Sequence, residues 1–269
     1  MSGAGGAAVE RLTPYPDVNA LLSLLLGGVR EILGDRLVGM YLYGSLSLGD
    51  FDPDSSDVDF LFVTDDTLPA ETLDALRDLH AHIAVSGLRY ANKLEGSYIP
   101  RAALRRHDPA NAAHPTIGVD WDFGVREHGS NWIIERHVVR ERGVTVWGPP
   151  PATLIDPVTP DELQAAVCDS SRLLAARLTD TVWLEPRDYQ AFAVLTMCRV
   201  LYTLNRGEVV SKPDAAAWAL ENVDSAWRPL IERALVWRHQ HNGTICRRRS
   251  GLHPVHAGAG ARPVWRQLV

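Results

Sequence analysis

Cysteine is scarce. The chain of 269 residues holds three, Cys168, Cys198 and Cys246, and no two stand in a C-x-x-C spacing. Neither a disulfide scaffold nor a zinc knuckle is supported, and a reduced, cytoplasmic setting is expected. Long apolar runs are missing too. The longest, around Leu21 to Val29, is well short of the roughly 20 residues a spanning helix needs, so no membrane association is expected. Met1 to Ala8 has no basic residue and no apolar core, which argues against a secretory leader. Basic charge is in deficit, with 27 Lys+Arg against 33 Asp+Glu and a net charge of -6. Nucleic acid needs a positive track, so it is not an expected partner. A cationic partner is weakly favoured. What is present, 46% hydrophobic and 22% charged residues, is the composition of a folded globular chain. The length allows one large domain or two smaller ones.

The first half alternates helix and strand patterns. Asp17 is placed to cap a helix to Leu33 with Val18, Leu21, Leu22, Leu25, Val29 and Ile32 along one face, ended by Gly34. Leu37 to Tyr43 reads as a buried strand, Gly44 to Ser56 as a loop, and Val58 to Thr64 as a second strand. A helix from Ala70 to Ala84 and a third strand from Lys93 to Ile99 follow. Gly148-Pro149-Pro150-Pro151 is a stiff, non-helical stretch. Beyond it the pattern is helical: Pro160 to Leu178 with Thr159 as cap, Arg187 to Asn205 ended by Gly207, Pro213 to Asn222, and Trp227 to His241. The fold expected is α+β: a mixed sheet with flanking helices over residues 1–155, then an all-α helical bundle over 156–269. The Gly-, Pro- and Arg-rich tail after Arg247 reads as a surface segment.

The informative stretch is Gly44-Ser45 at the end of one strand and Ser56-Asp57-Val58-Asp59 at the start of the next. Strand alternation sets the Asp57 and Asp59 carboxylates on one face, about 6.6 Å apart along the chain. Two acids side by side repel and call for a cation. Mg²⁺ suits them, being hard, oxygen-seeking and usually held by one or two carboxylates together with substrate phosphates. Gly44 permits close backbone approach. Ser45 and Ser56 offer hydroxyl donors to phosphate oxygens. Glu95 lies between Leu94 and Tyr98 in the third strand. Beside the Asp57 strand it would complete the metal site or take a proton as general base. An Asp-x-Asp pair alone is common in turns. The ordered combination of strand, Gly-Ser, loop, Asp-x-Asp, strand and later acid is what carries the reading.

That combination resembles the polymerase-beta-like nucleotidyltransferase superfamily, and within it the streptomycin/spectinomycin adenylyltransferase type of aminoglycoside nucleotidyltransferase. Leu42-Tyr43-Gly44-Ser45 and Ser56-Asp57-Val58-Asp59 carry the superfamily pattern. The run Leu195 to Leu204, then Gly207 and Ser211-Lys212, carries the family-specific one. The resemblance implies that Ser45 and Ser56 contact ATP phosphates, that Asp57 and Asp59 hold Mg²⁺, that Glu95 is the catalytic base, and that Lys212 reaches the triphosphate. It implies attack of an acceptor hydroxyl on the ATP α-phosphate with release of pyrophosphate.

A cationic acceptor calls for acids and a flat aromatic surface. Trp121, between Asp120 and Asp122 in a linker after the third strand, is the candidate platform, with Trp132 as its rival. Glu185 and Asp188 are candidate acceptor contacts, although they also suit a helix N-terminus. The family's triphosphate tyrosine is missing from Leu235-Val236-Trp237-Arg238-His239, where Arg238 is a substitute. The ten histidines, His239 and His241 included, lack metal-ligand spacing and read as surface residues. Arg247-Arg248-Arg249 reads as a solvated tail. The function expected is Mg-dependent adenylylation of a small cationic acceptor by a monomer. A macromolecular acceptor and a non-catalytic nucleotide-binding module are the alternatives.

Overall fold

A computed structural model describes residues 12–119, 121–179 and 184–239. Among these the chain divides into two compact units between Thr159 and Pro160. Cys246, His241, Asp120 and the basic tail lie outside the described residues. No described helix is long and apolar enough to cross a membrane.

The first unit is built on one six-stranded sheet in the order β5-β4-β3-β2-β1-β6. Its elements are α1 (Pro16–Leu33), β1 (Leu37–Leu42), α2 (Gly44–Leu48), β2 (Val58–Thr64), α3 (Ala70–Ala84), β3 (Leu94–Pro100), α4 (Arg101–Leu104), β4 (Ala113–Gly118), β5 (Trp121–Glu127), α5 (Asn131–Arg142) and β6 (Val144–Trp147). The β2–β3 pair is parallel, joined through α3, and the other pairs are antiparallel. The sheet is therefore mixed, as expected. Its core follows from strand alternation. Met40 and Leu42, Val58, Phe60 and Phe62, and Leu94 and Tyr98 point to one face, where α1 supplies Leu21, Leu22 and Leu25 and α3 supplies Leu76 and Ile83.

Four expectations are corrected. Helix α1 begins one residue before Asp17: Tyr15 is its N-cap and makes no side-chain cap, and Pro16 takes the first turn because it needs no N–H partner there. Asp17 instead lies 3.7 Å from Arg89. The stretch after β1 is not loop from its first residue, since Gly44–Leu48 forms a short helix closed by Gly49 in the left-handed conformation. Residues Ala113–Gly118 and Trp121–Glu127 form two strands, so Trp121 opens β5 rather than lying in a linker. His-, Pro- and Gly-containing strands this short carry no clean alternation. His80, His114 and His128 are buried, not at the surface. A neutral imidazole is small and flat enough to pack among rings.

The proline-rich stretch is fastened to the first unit. The Tyr41 hydroxyl donates to Pro149 O at 2.7 Å, and Arg140 donates to Ala152 O and Ile155 O at 2.7 Å each. Asp156 pairs with Arg105 and Arg106 at 2.7 and 2.9 Å.

The second unit is helical: α6 (Pro160–Arg177), α7 (Arg187–Arg206), α8 (Lys212–Asn222) and α9 (Arg228–Trp237). Ser211 caps α8 by accepting from Asp214 N, and Gly207 closes α7 in the left-handed conformation. Ala215, Ala216, Ala219 and Ala234 let α8 and α9 approach Ala191, Leu195 and Cys198 of α7. Helix α9 starts after a 3-10 turn at Ser225–Trp227, one residue later than the pattern suggests.

Candidate active site

The acidic site assembles where β1 ends and β2 and β3 begin. Tyr43 N donates to Asp59 O at 3.2 Å, and Val58 N donates to Lys93 O at 2.8 Å. These two bonds set the three strand ends level. Asp59 of β2 pairs directly with Glu95 of β3 in the parallel register. Partners in a parallel pair point to the same face of the sheet, about 4.8 Å apart strand to strand. Both side chains are half-buried, on the face opposite α1 and α3. Asp57 stands one residue ahead of β2, because the strand begins only at Val58. Asp59 alone of the Asp-x-Asp pair therefore has its direction set by the strand.

Gly44 makes the junction possible. Its φ is +59°, and a Cβ there would lie 1.9 Å from Asp59 Oδ2. Ser45 follows in the first turn of α2 and is half-buried. Ser56 Oγ accepts from Asp52 N at 2.9 Å, and the Lys93 ammonium donates to Asp54 O at 3.1 Å, so the loop returning to Asp57 is tied down at both ends. The donor set is all oxygen and anionic, which fits Mg²⁺. Among the described residues no three His, Cys, Asp or Glu side chains stand ready as a cation-binding group.

Two residues of this region are not legible from spacing. The Tyr43 hydroxyl is kept protonated, its pKa raised well above the usual range first by burial and then by the charges of Glu135, Asp59 and Glu95. Glu135 comes from α5, a helix whose weak periodicity gave no signal. Beneath Glu95 on the same face, Ser97 Oγ lies 2.9 Å from Thr116 Oγ1 and 3.1 Å from His128 Nε2. The His128 ring stacks on Trp132 at 3.7 Å, and Trp132 lies 6.4 Å from Tyr43. Trp132 is buried between them, whereas Trp121 is 39% exposed.

Trp121 reaches the acidic face through a bulge. The β4–β5 register shifts between Thr116↔Gly124 and Gly118↔Trp121, so three steps of β5 match two of β4. Phe123 stays on the core side, stacked on His80 at 5.3 Å, while the Trp121 ring lies across Gly118. A Cβ on Gly118 would sit 2.6 Å from that ring. Because Gly96 pairs with Ile117 in antiparallel register, Gly118 is the β4 residue next to Glu95. Asp59, Glu95, Gly118 and Trp121 thus form a row across four strands.

In the second unit, Lys212 begins α8 with its ammonium 4.3 Å over the Phe192 ring. Glu185 is exposed just before α7, and Asp188 lies in its first turn, accepting from Tyr189 N at 3.0 Å.

Residues 22–106 match the nucleotidyltransferase domain family, and residues 153–251 match the C-terminal domain family of aminoglycoside adenylyltransferases. The two matches together describe a nucleotidyltransferase domain followed by the C-terminal domain of aminoglycoside adenylyltransferases. The chain is an enzyme of the nucleotidyltransferase class. An aminoglycoside (3'') (9) adenylyltransferase of Escherichia coli is 25% identical over 242 residues, covering 81% of this chain and 84% of the relative. A spectinomycin 9-adenylyltransferase of Staphylococcus aureus is 25% identical over 204 residues, 71% and 74% of the two chains. The fold is similar to that of a spectinomycin adenyltransferase from Enterococcus faecialis solved with ATP and spectinomycin. That match has a TM-score of 0.64 at 17% identity and covers 85% of this chain and 93% of that one.

Proposed function

We propose that the enzyme transfers AMP from ATP to a hydroxyl of a small cationic acceptor, an aminocyclitol antibiotic of the streptomycin or spectinomycin type, with release of pyrophosphate. The row Asp59–Glu95–Gly118–Trp121 carries the proposal. Carboxylates that can hold a cation and accept a proton stand beside a position without a side chain, and a flat aromatic surface lies beyond it. The names of the 25% identical relatives support the same acceptor class.

The acceptor oxygen bonds to the α-phosphorus as the bond from phosphorus to the pyrophosphate oxygen breaks. The hydroxyl proton passes to Glu95, and pyrophosphate leaves with the electron pair. Asp57 and Asp59, with Glu95 beside them, would hold Mg²⁺, which when bound neutralises charge on the phosphates. Gly44 and Ser45 form the backbone turn that faces the phosphates, with Ser56 behind it. Trp121 receives the cationic acceptor. On the family resemblance, Lys212 serves the triphosphate, and Glu185 and Asp188 serve the acceptor.

The test is pyrophosphate release over a panel of streptomycin, spectinomycin, RNA and protein acceptors, with mass spectrometry of the product and calorimetry of ATP binding with and without EDTA. Adenylylated antibiotic, and ATP affinity lost in EDTA, are the expected results. ATP binding with no pyrophosphate release for any acceptor would establish a binding module instead.

A further inference from the structure

Trp121 already carries a cation. The guanidinium carbon of Arg126 stands over its ring, 5.1 Å from the centroid. Both residues belong to β5, and Arg126 pairs across the ladder with His114. Arg126 is exposed, so the guanidinium can leave the ring for water without breaking a buried contact. The negative face of an indole attracts one cation at close range, and a second arriving there meets both an occupied surface and a like charge.

We propose that Arg126 is a specificity-determining residue, a resident cation that the ammonium or guanidinium of an incoming acceptor must displace from Trp121. The proposal rests on the reading of Trp121 as the acceptor platform. Arg126 then weakens binding of every cationic acceptor, and weakens it most for those that present a full positive charge to the ring. A neutral acceptor that leaves Trp121 untouched escapes the competition.

The experiment uses the full-length enzyme, with streptomycin and spectinomycin as probes. Arg126→Gln should lower the acceptor KM about two- to fivefold, the range that one exposed cation–π contact corresponds to. kcat should move less than KM, and the KM for ATP should stay in place. Arg126→Lys, which keeps a cation over the ring, should behave like the parent. In a Trp121→Ala background, Arg126→Gln should have no further effect on acceptor KM. Direct binding is read without turnover by fluorine NMR of protein labelled with 5-fluorotryptophan, the Trp121 resonance being assigned by its loss in Trp121→Phe. That resonance should move at lower acceptor concentration in Arg126→Gln than in the parent. If Trp121→Ala weakens acceptor binding but Arg126→Gln leaves it unchanged or weaker, the Arg126 proposal is overturned and the platform stands. If the Trp121 resonance ignores both antibiotics and Trp121→Ala changes nothing, the platform reading falls and takes the proposal with it.

Discussion

The two faces of the central sheet are made from the same strands and do opposite work. Toward α1 and α3, β2 and β3 present Val58, Phe60, Phe62, Leu94 and Tyr98, all buried in one apolar cluster. Toward α5 the alternate residues present Asp59, Glu95 and Ser97. Hydrophobic burial on the first face supplies the stability that holds repelling carboxylates level on the second. A strand period of two is what lets one segment serve both ends.

If this division holds, Glu95→Gln should cost the most activity and little stability. Loss of a general base corresponds to about 10²–10⁴-fold in turnover. ATP binding should survive, and urea unfolding should be unchanged or slightly later, because one like charge is gone. Pyrophosphate release and calorimetry on the same preparation separate these outcomes, and near-normal turnover would remove Glu95 from its assigned role. Phe60→Ala is the mirror experiment. It should destabilise by about 3–5 kcal/mol in urea unfolding, with any folded fraction keeping its KM for ATP.

Acid should attack the apolar face through His80. That ring stacks on Phe60 at 6.0 Å and on Phe123, and its Nε2 lies 2.9 Å from the Tyr98 hydroxyl. Burial lowers its pKa to about 4. The unfolded chain binds the proton near pH 6.5 and the folded chain only near pH 4. Stability is therefore full above 6.5 and falls as pH drops through that window, by on the order of 3 kcal/mol. His80→Gln should flatten this part of the stability–pH curve. An unchanged slope would show that the loss comes from elsewhere, His114 and His128 being held down to about 4 and 2 by burial first and by neighbouring positive groups second. The smallest effect is expected from Ser97→Ala, which removes the hydroxyl between Thr116 and His128 without touching the acid pair. About 1 kcal/mol of stability should be lost, with turnover nearly intact. A large loss of turnover would mean that the Ser97–His128–Trp132 stack positions Glu95.

Much of this was legible along the chain. The Gly44-Ser45 and Asp57-Val58-Asp59 spacing pointed to an acidic strand end, Glu95 to an adjacent strand, and Gly207 to the end of a helix. The middle of the first unit was not legible. His114, Pro115 and Gly118 break the alternation of β4, and α5 buries Arg136, whose guanidinium donates to Ala103 O, Leu104 O and Trp132 O at 3.0–3.2 Å. A buried arginine looks like a surface residue until its carbonyl partners are known.

The chain by itself determined what depends on neighbours in sequence. Strand and helix periods, the glycine that lets Tyr43 lead into Ser45, and the order of the acids are all local properties. Tertiary structure decided what depends on register. Asp59 stands beside Glu95 because β2 and β3 pair in parallel without a shift. Trp121 faces them because one bulge swings it across Gly118. A one-residue change in either pairing would send those side chains to the other face, and no residue-by-residue pattern carries that choice.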